Sequence, residues 1–214
     1  MAKIIPTILT ANEDEYHEKL RKAEHLSDLI QIDVIDGKFA NNTTIGVDII
    51  KKYPSSSNLE IQLMVVYPQN YIDELVFVDC VWRIIVPFEG EIGLMDTVYH
   101  VRRHAKQVGL SLNPKTPVGA ALHFFDDIDL LLLLAVEPGF AGQRFQEHVI
   151  EKVEEAKKVN PGLAVEVDGG VNFDTIPALT KAGADFLAVN SALWKSEDHF
   201  VTFEKLAKLA SHNE

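Results

Sequence analysis

Gln31 and Asp33 in LIQIDVIDG, Gln62 in LEIQLMV and Asp168 in VEVDGG are the side chains of this sequence best placed to do chemistry. Each lies near the C-terminal end of a short apolar run of strand character. Side chains two apart on a strand point the same way, so Gln31 shares a face with Asp33. Brought to one mouth, two carboxylates and two amides could move a proton at a carbon flanked by oxygens. The paired amides, standing where a metal site is expected, leave the details of that chemistry open.

The elements that must position these residues alternate along the whole chain. Strand-like runs fall at 4–9, 29–34, 59–65, 81–86, 109–112, 130–136, 164–167 and 186–189. Helical patterns, with apolar positions recurring at three and four residues, fall between or after them at 14–25, 47–53, 71–75, 94–107, 117–124, 145–159, 175–182 and 199–210. The strands are continuously apolar, as expected where helices cover the outside of a parallel sheet and further side chains fill its inside. Eight such units predict a closed (β/α)8 TIM barrel, a single domain over 1–214 with loops shorter than in the usual barrel of about 250 residues. A doubly wound open sheet is the rival, but it normally carries a glycine-rich turn after its first strand, and Pro6-Thr7-Ile8-Leu9-Thr10-Ala11 has no glycine.

In such a barrel the working groups sit at the C-terminal strand ends. Gln31 and Asp33 then share the inner face of strand two, Glu60 and Gln62 that of strand three, and Glu166 and Asp168 that of strand seven. Polar groups inside a barrel need partners or a purpose. A lone strand-end aspartate often only ties loops together; Asp33 and Asp168 come from separate units that the fold unites, each beside a glycine-bearing turn, and this favours function for the pair. Asp36, before Gly37, is expected to support the turn or the residues behind the site.

Three consecutive units end in loops suited to an anion. Pro138-Gly139-Phe140-Ala141-Gly142-Gln143 follows strand six, Gly169-Gly170 strand seven, and Asn190-Ser191 strand eight. Glycines admit close approach of backbone N–H groups to an anion, and the loops after strands seven and eight are where this fold often grips phosphate. A local grip of this kind suits a chain of 214 residues whose net charge is −12, a value that argues against nucleic acid and anionic membrane as partners. The longest apolar run, 130–136, is too short to span a bilayer, and the first ten residues lack the pattern of a secretory signal. With a single cysteine, Cys80, a reducing cytoplasm is the expected setting.

With these residues in hand, the chain resembles the ribulose-phosphate 3-epimerase family over nearly its whole length. The matching segments are Pro6-Thr7-Ile8-Leu9-Thr10, Ile32-Asp33-Val34-Ile35-Asp36-Gly37, Leu63-Met64-Val65, Leu112-Asn113-Pro114-Lys115-Thr116-Pro117, Val136-Glu137-Pro138-Gly139-Phe140-Ala141-Gly142-Gln143-Arg144-Phe145, Glu166-Val167-Asp168-Gly169-Gly170-Val171-Asn172 and Asn190-Ser191-Ala192. The resemblance implies inversion of the carbon beside the carbonyl of a phosphorylated ketose, as between ribulose 5-phosphate and xylulose 5-phosphate. It implies proton transfer by the residues matching Asp33 and Asp168, substrate contact at Thr7 and the glycine loops, support from Met64, and a homo-oligomer as an unsurprising state.

The same resemblance implies a divalent metal held by those two aspartates and two histidines. Here the histidine positions are Gln31 and Gln62. An amide oxygen is a harder, weaker donor than imidazole, so manganese or magnesium is a better expectation than zinc or iron, and no metal at all is a third. Further departures are Ile35 and Leu134 at methionine positions, Glu137 before Pro-Gly-Phe, and no histidine in Arg83-Ile84-Ile85-Val86-Pro87.

Three readings follow. One is an epimerase in which Gln31 and Gln62 donate N–H groups to the enediolate or accept a hard cation. The second is a phosphosugar enzyme with another substrate, and the third a phosphosugar-binding protein without catalysis. A decarboxylase of the Asp-x-Lys type is not supported by Asp33-Val34-Ile35, and a Schiff-base aldolase lacks an inward lysine. The histidines, His17, His25, His100, His104, His123, His148, His199 and His212, fall mostly on helices and read as solvated faces; Trp82 and Trp194 read as packing or interface residues.

Overall fold

The computed structural model describes residues 1–90 and 93–211; His212 lies outside them. Strands β1 (Lys3–Ile8), β2 (Leu29–Ile35), β3 (Asn58–Met64), β4 (Val81–Pro87), β5 (Gln107–Leu112), β6 (Leu130–Leu134), β7 (Ala164–Asp168) and β8 (Phe186–Val189) pair in sequence order, all parallel, and β8 closes on β1. The sequence-based strands agree with these to within two residues at either end. A strand buried on both faces is marked in sequence by its unbroken apolar run, which is why its limits are so readable.

Helices α1 (Glu13–Glu24), α2 (Val47–Lys52), α3 (Gln69–Leu75), α4 (Leu94–Arg103), α5 (Val149–Val159), α6 (Ile176–Ala182), α7 (Ser191–Trp194) and α8 (His199–Ser211) clothe the barrel. Asn12 caps α1 by accepting from the Glu15 backbone N–H, and Glu13, Asp14 and Glu15 crowd its first turn, where negative charge suits the dipole. The helix expected at 94–107 stops at Arg103. Ala105 takes a positive φ of 57°, and Gln107 is drawn into β5. The segment expected at 117–124 is a 3₁₀ helix, Val118–Phe124, and α5 begins four residues later than its periodicity suggested.

Two apolar layers result. The larger lies between strands and helices and is built from outward residues such as Ile32, Val34, Ile61, Leu63, Val165 and Val167. The smaller, Ile85, Leu130, Leu132 and Leu134 with Ala164 and Phe186 against them, fills one side of the barrel interior. Gly109 makes that filling possible: a Cβ there would lie 2.8 Å from Ile85 Cγ1. Gly109→Ala is therefore expected to overpack the interior and cost about 1–3 kcal/mol, read as a lower urea midpoint with an unchanged slope. Among the described residues no helix is long and apolar enough to cross a membrane.

Candidate active site

The other side of the interior is polar, and strand register explains its layering. Gln31 pairs with Thr7 and Glu60, Asp33 with Gln62, and Asp168 with Leu134 and Ala188. Asp33, at 3 % exposure, and Asp168 thus reach the C-terminal mouth, while Gln31 and Gln62 are wholly buried.

The two amides hold the two acids. Gln31 Nε2 donates to Asp33 Oδ1 at 2.7 Å. With its nitrogen toward the acids, Gln62 donates to Asp33 Oδ1 at 2.9 Å and to Asp168 Oδ2 at 3.0 Å, and the two amide nitrogens stand 2.9 Å apart. Turned over, the Gln62 amide would accept from Gln31 Nε2 at 2.9 Å but set its oxygen against both carboxylates. The nitrogen-inward orientation makes two donations to carboxyl oxygens in place of one amide–amide bond, at the cost of bringing the two amide nitrogens together, and the donations to the acids are the stronger contribution. A single amide group therefore bridges residues 135 positions apart in sequence, and the two carboxylates stand within two hydrogen-bond lengths of each other.

Burial and mutual repulsion act against ionisation. The Asp33 carboxyl lies well above the usual carboxylate range, first through burial and then through the Asp168 charge, with hydrogen bonds from Gln31 and Thr7 opposing the rise. Asp168 borders the cavity yet is ringed by protein, and burial pushes it up to about 6 against hydrogen bonds from Gln31 and the Gly169 N–H. These values belong to the pair, whose members titrate together.

Above the acids lies a cavity of about 510 Å³ including its open mouth. Its lining includes Thr7, Asp33, Met64, Gly139, Phe140, Ala141, Gly142, Asp168, Gly169, Gly170, Asn190 and Ser191. All three glycine-bearing or helix-start loops expected from sequence thus converge with the acids on one space. Gly170 has φ of 68°, and a Cβ there would fall within 2.9 Å of the Phe145 backbone nitrogen, so only glycine fits this turn. Gln31 and Gln62 do not border the cavity; they lie beneath its floor. Asp36 is off the cavity too, its carboxylate accepting from the backbone N–H groups of Lys38, Phe39 and Val66 and so tying the loops after β2 and β3 together.

Thr7 and Asn190 were expected from sequence, whereas Trp194, Lys195 and Arg83 were not picked out as contributors. Asn190 Nδ2 donates to Thr7 Oγ1 at 3.0 Å, and Trp194 Nε1 donates to the Thr7 carbonyl at 2.7 Å, so the Trp194 indole braces the residue that bonds Asp33. The Lys195 ammonium lies 3.5 Å from the position a Cβ on Gly142 would take, beside the loop after β6. Arg83 lies in the barrel floor at 2 % exposure, donating to Glu60 at 2.6 Å and to Gln107, with Glu166 at 3.9 Å. The alternation of β4 marked Arg83 as inward, which was the available signal.

A divalent metal of the kind the resemblance implies would need lone pairs converging on one point. Gln31 instead aims its nitrogen at Asp33, and Gln62, in the nitrogen-inward orientation, aims its nitrogen at both acids, so the carboxylate oxygens facing the amides accept hydrogen bonds. Among the described residues no group of three or more His, Cys, Asp or Glu is arranged to hold a metal ion. The donor set does not fit the metal.

Comparison with known proteins bears on the family of the chain. The model of the ribulose-phosphate 3-epimerase family matches residues 3–194. Over 207 aligned residues the chain is 36% identical to ribulose-phosphate 3-epimerase of Bacillus subtilis, covering 92% of this chain and 94% of that protein. It is 32% identical to the enzyme of that name from Schizosaccharomyces pombe, covering 92% and 88%. Among solved structures, 3-hexulose-6-phosphate synthase from Salmonella typhimurium superposes with a TM-score of 0.72 at 16% identity, covering 97% of this chain and 98% of that one, a likeness of fold alone. A match of this length, together with curated relatives above 30% identity across nearly the full chain, places the protein in the ribulose-phosphate 3-epimerase family.

Proposed function

We propose that this protein is a ketose-phosphate 3-epimerase that interconverts ribulose 5-phosphate and xylulose 5-phosphate. One of Asp33 and Asp168 removes the C3 proton, an enediolate forms, and the other acid returns a proton to the opposite face. The observation that carries this reading is the pair itself: the buried carboxyl of Asp33 from β2 and the half-buried one of Asp168 from β7 border one cavity that the glycine loops also line. Burial raises both carboxyls toward neutrality, where a group can serve as acid in one direction and base in the other. The phosphate end of the substrate is expected against Gly139 to Gly142, Gly169, Gly170 and Ser191, with Thr7 on the sugar.

The test is exchange of the C3 hydrogen of ribulose 5-phosphate in deuterium oxide, with xylulose 5-phosphate formed alongside. The rate should follow a bell in pH. It rises through an apparent pKa near 6 as the pair gives up its first proton, because a base must be ionised, and falls again once the second acid is also ionised and has no proton to return. A pH-independent rate across this range would count against the two acids. Glutamine at both histidine positions also favours a second reading, a phosphosugar-binding protein without catalysis; a folded chain that binds the ester but exchanges nothing would establish it.

Lys195 places a positive charge 3.5 Å from where a Cβ on Gly142 would lie, beside the glycine loop after β6. Lys195→Ala should raise KM for the phosphate ester by roughly three- to tenfold with little change in kcat, an effect that shrinks in high salt. Equal KM in wild type and variant would remove Lys195 from the anion grip.

A further inference from the structure

We propose that Gln31 and Gln62 replace the family's metal by clamping Asp33 and Asp168 into a self-contained hydrogen-bonded unit, so that proton transfer in this chain is independent of a divalent cation. The inference rests on the epimerase reading and concerns how the same site is held together.

Three features of the geometry carry it. The first is donor polarity. Gln31 donates through its amide nitrogen at 2.7 Å, and Gln62, in its nitrogen-inward orientation, donates at 2.9 and 3.0 Å, one contact to each acid. An amide nitrogen has no lone pair free for a metal, so in this arrangement neither glutamine is a ligand. The second is reach. The Gln62 amide alone touches a carboxylate oxygen of each acid, which is the connection a bridging cation would otherwise supply. The third is placement. Both glutamines lie under the cavity floor at 0 % exposure, so they act through the acids they orient and leave the cavity to the substrate. They are positioning residues. Gln31 Oε1 stays without a hydrogen-bond partner, turned away from Asp33 by the bond its nitrogen makes there.

Charge in the layer below is also accounted for without a metal. Glu60 and Glu166 face the underside of the site from β3 and β7 and Arg83 from β4, so one guanidinium already sits among the interior carboxylates.

Two measurements on the whole purified protein test this. In the first, C3 deuterium exchange is followed after exhaustive chelation and again after adding back manganese, magnesium or zinc. The expected rate is the same within twofold throughout. Exchange that collapses on chelation and returns with one of these ions overturns the proposal. In the second, manganese is titrated in and free ion counted by electron paramagnetic resonance. No stoichiometric site is expected, and a site lost in Asp168→Asn overturns the proposal whatever the activity. If no condition gives exchange, the epimerase reading fails while the manganese titration still decides whether the acids hold a metal. Gln62→Leu should lower kcat by about 10²-fold with KM within threefold, because the acids lose alignment while the cavity wall is untouched. The double change Gln31→His with Gln62→His should create cobalt binding visible as d–d absorption, which wild type lacks.

Discussion

Replacing Asp168 with Asn should lower epimerisation by about 10²–10⁴-fold while the protein still binds the phosphate ester. Asn is nearly isosteric with Asp and can keep a contact at the lip of the cavity, but it cannot take or give the proton. The glycine loops that line the rest of the cavity are built from backbone and do not depend on this carboxylate, so KM should stay within a few-fold. Asp33→Asn should behave alike. The two variants then separate a two-acid mechanism from any other. With one acid left, one face of C3 can still be deprotonated and reprotonated, so each variant should wash deuterium into a single epimer without inverting it. The epimer that exchanges should differ between the two variants. Full turnover in either variant, or exchange of the same epimer in both, would rule out the assignment of one acid to each face.

The acids could be found from sequence because strand alternation and barrel closure are both written in residue type. Asp33 and Asp168 end apolar runs beside glycine turns, and a (β/α)8 barrel has only one place for such ends to meet. The loops were legible for a similar reason, since Gly170 answers a backbone need that no other residue meets. What sequence could not supply was partner choice. Gln62 was a candidate for touching an enediolate, yet it pairs in register with Asp33 and its amide is spent on Asp33 and Asp168, away from the cavity lining. Trp194 reads as packing until its indole N–H is seen to donate to the Thr7 carbonyl, a contact between opposite ends of the chain. Helix ends were also misjudged where side chains took over the backbone's role. After α4 the chain turns at Ala105 so that Lys106 can donate to the Val78 and Val81 carbonyls and Gln107 can reach Arg83.

Arg83 is the residue whose removal should harm the fold most. Its guanidinium donates to Glu60 at 2.6 Å and to Gln107 at 3.0 Å, and lies 3.9 Å from Glu166, all inside the barrel. Glu166 takes no hydrogen bond from Arg83 and stands within hydrogen-bonding reach of the Glu60 carboxyl. Burial first, and then the Glu60 charge, raises its carboxyl well above the usual range, whereas for Glu60 burial raises and Arg83 opposes. Arg83→Met keeps much of the volume and removes the guanidinium bonded to Glu60, which at neutral pH should cost about 3–5 kcal/mol. The sign of its pH dependence follows from linkage. A carboxyl whose folded pKa exceeds its unfolded value of about 4.3 binds its proton more tightly when folded, so its contribution is fully present below that value and is lost as pH rises through the folded pKa. Without Arg83 both glutamates move further in this direction. The variant should therefore approach wild-type stability near pH 5 and fall progressively behind toward pH 8 in urea unfolding, and adding Glu60→Gln with Glu166→Gln should recover most of the loss. An equal deficit at both pH values would mean that Arg83 stabilises the barrel by packing against Trp82 and Phe186, whose rings lie 4.3 and 5.2 Å from its guanidinium carbon, and not by neutralising the floor.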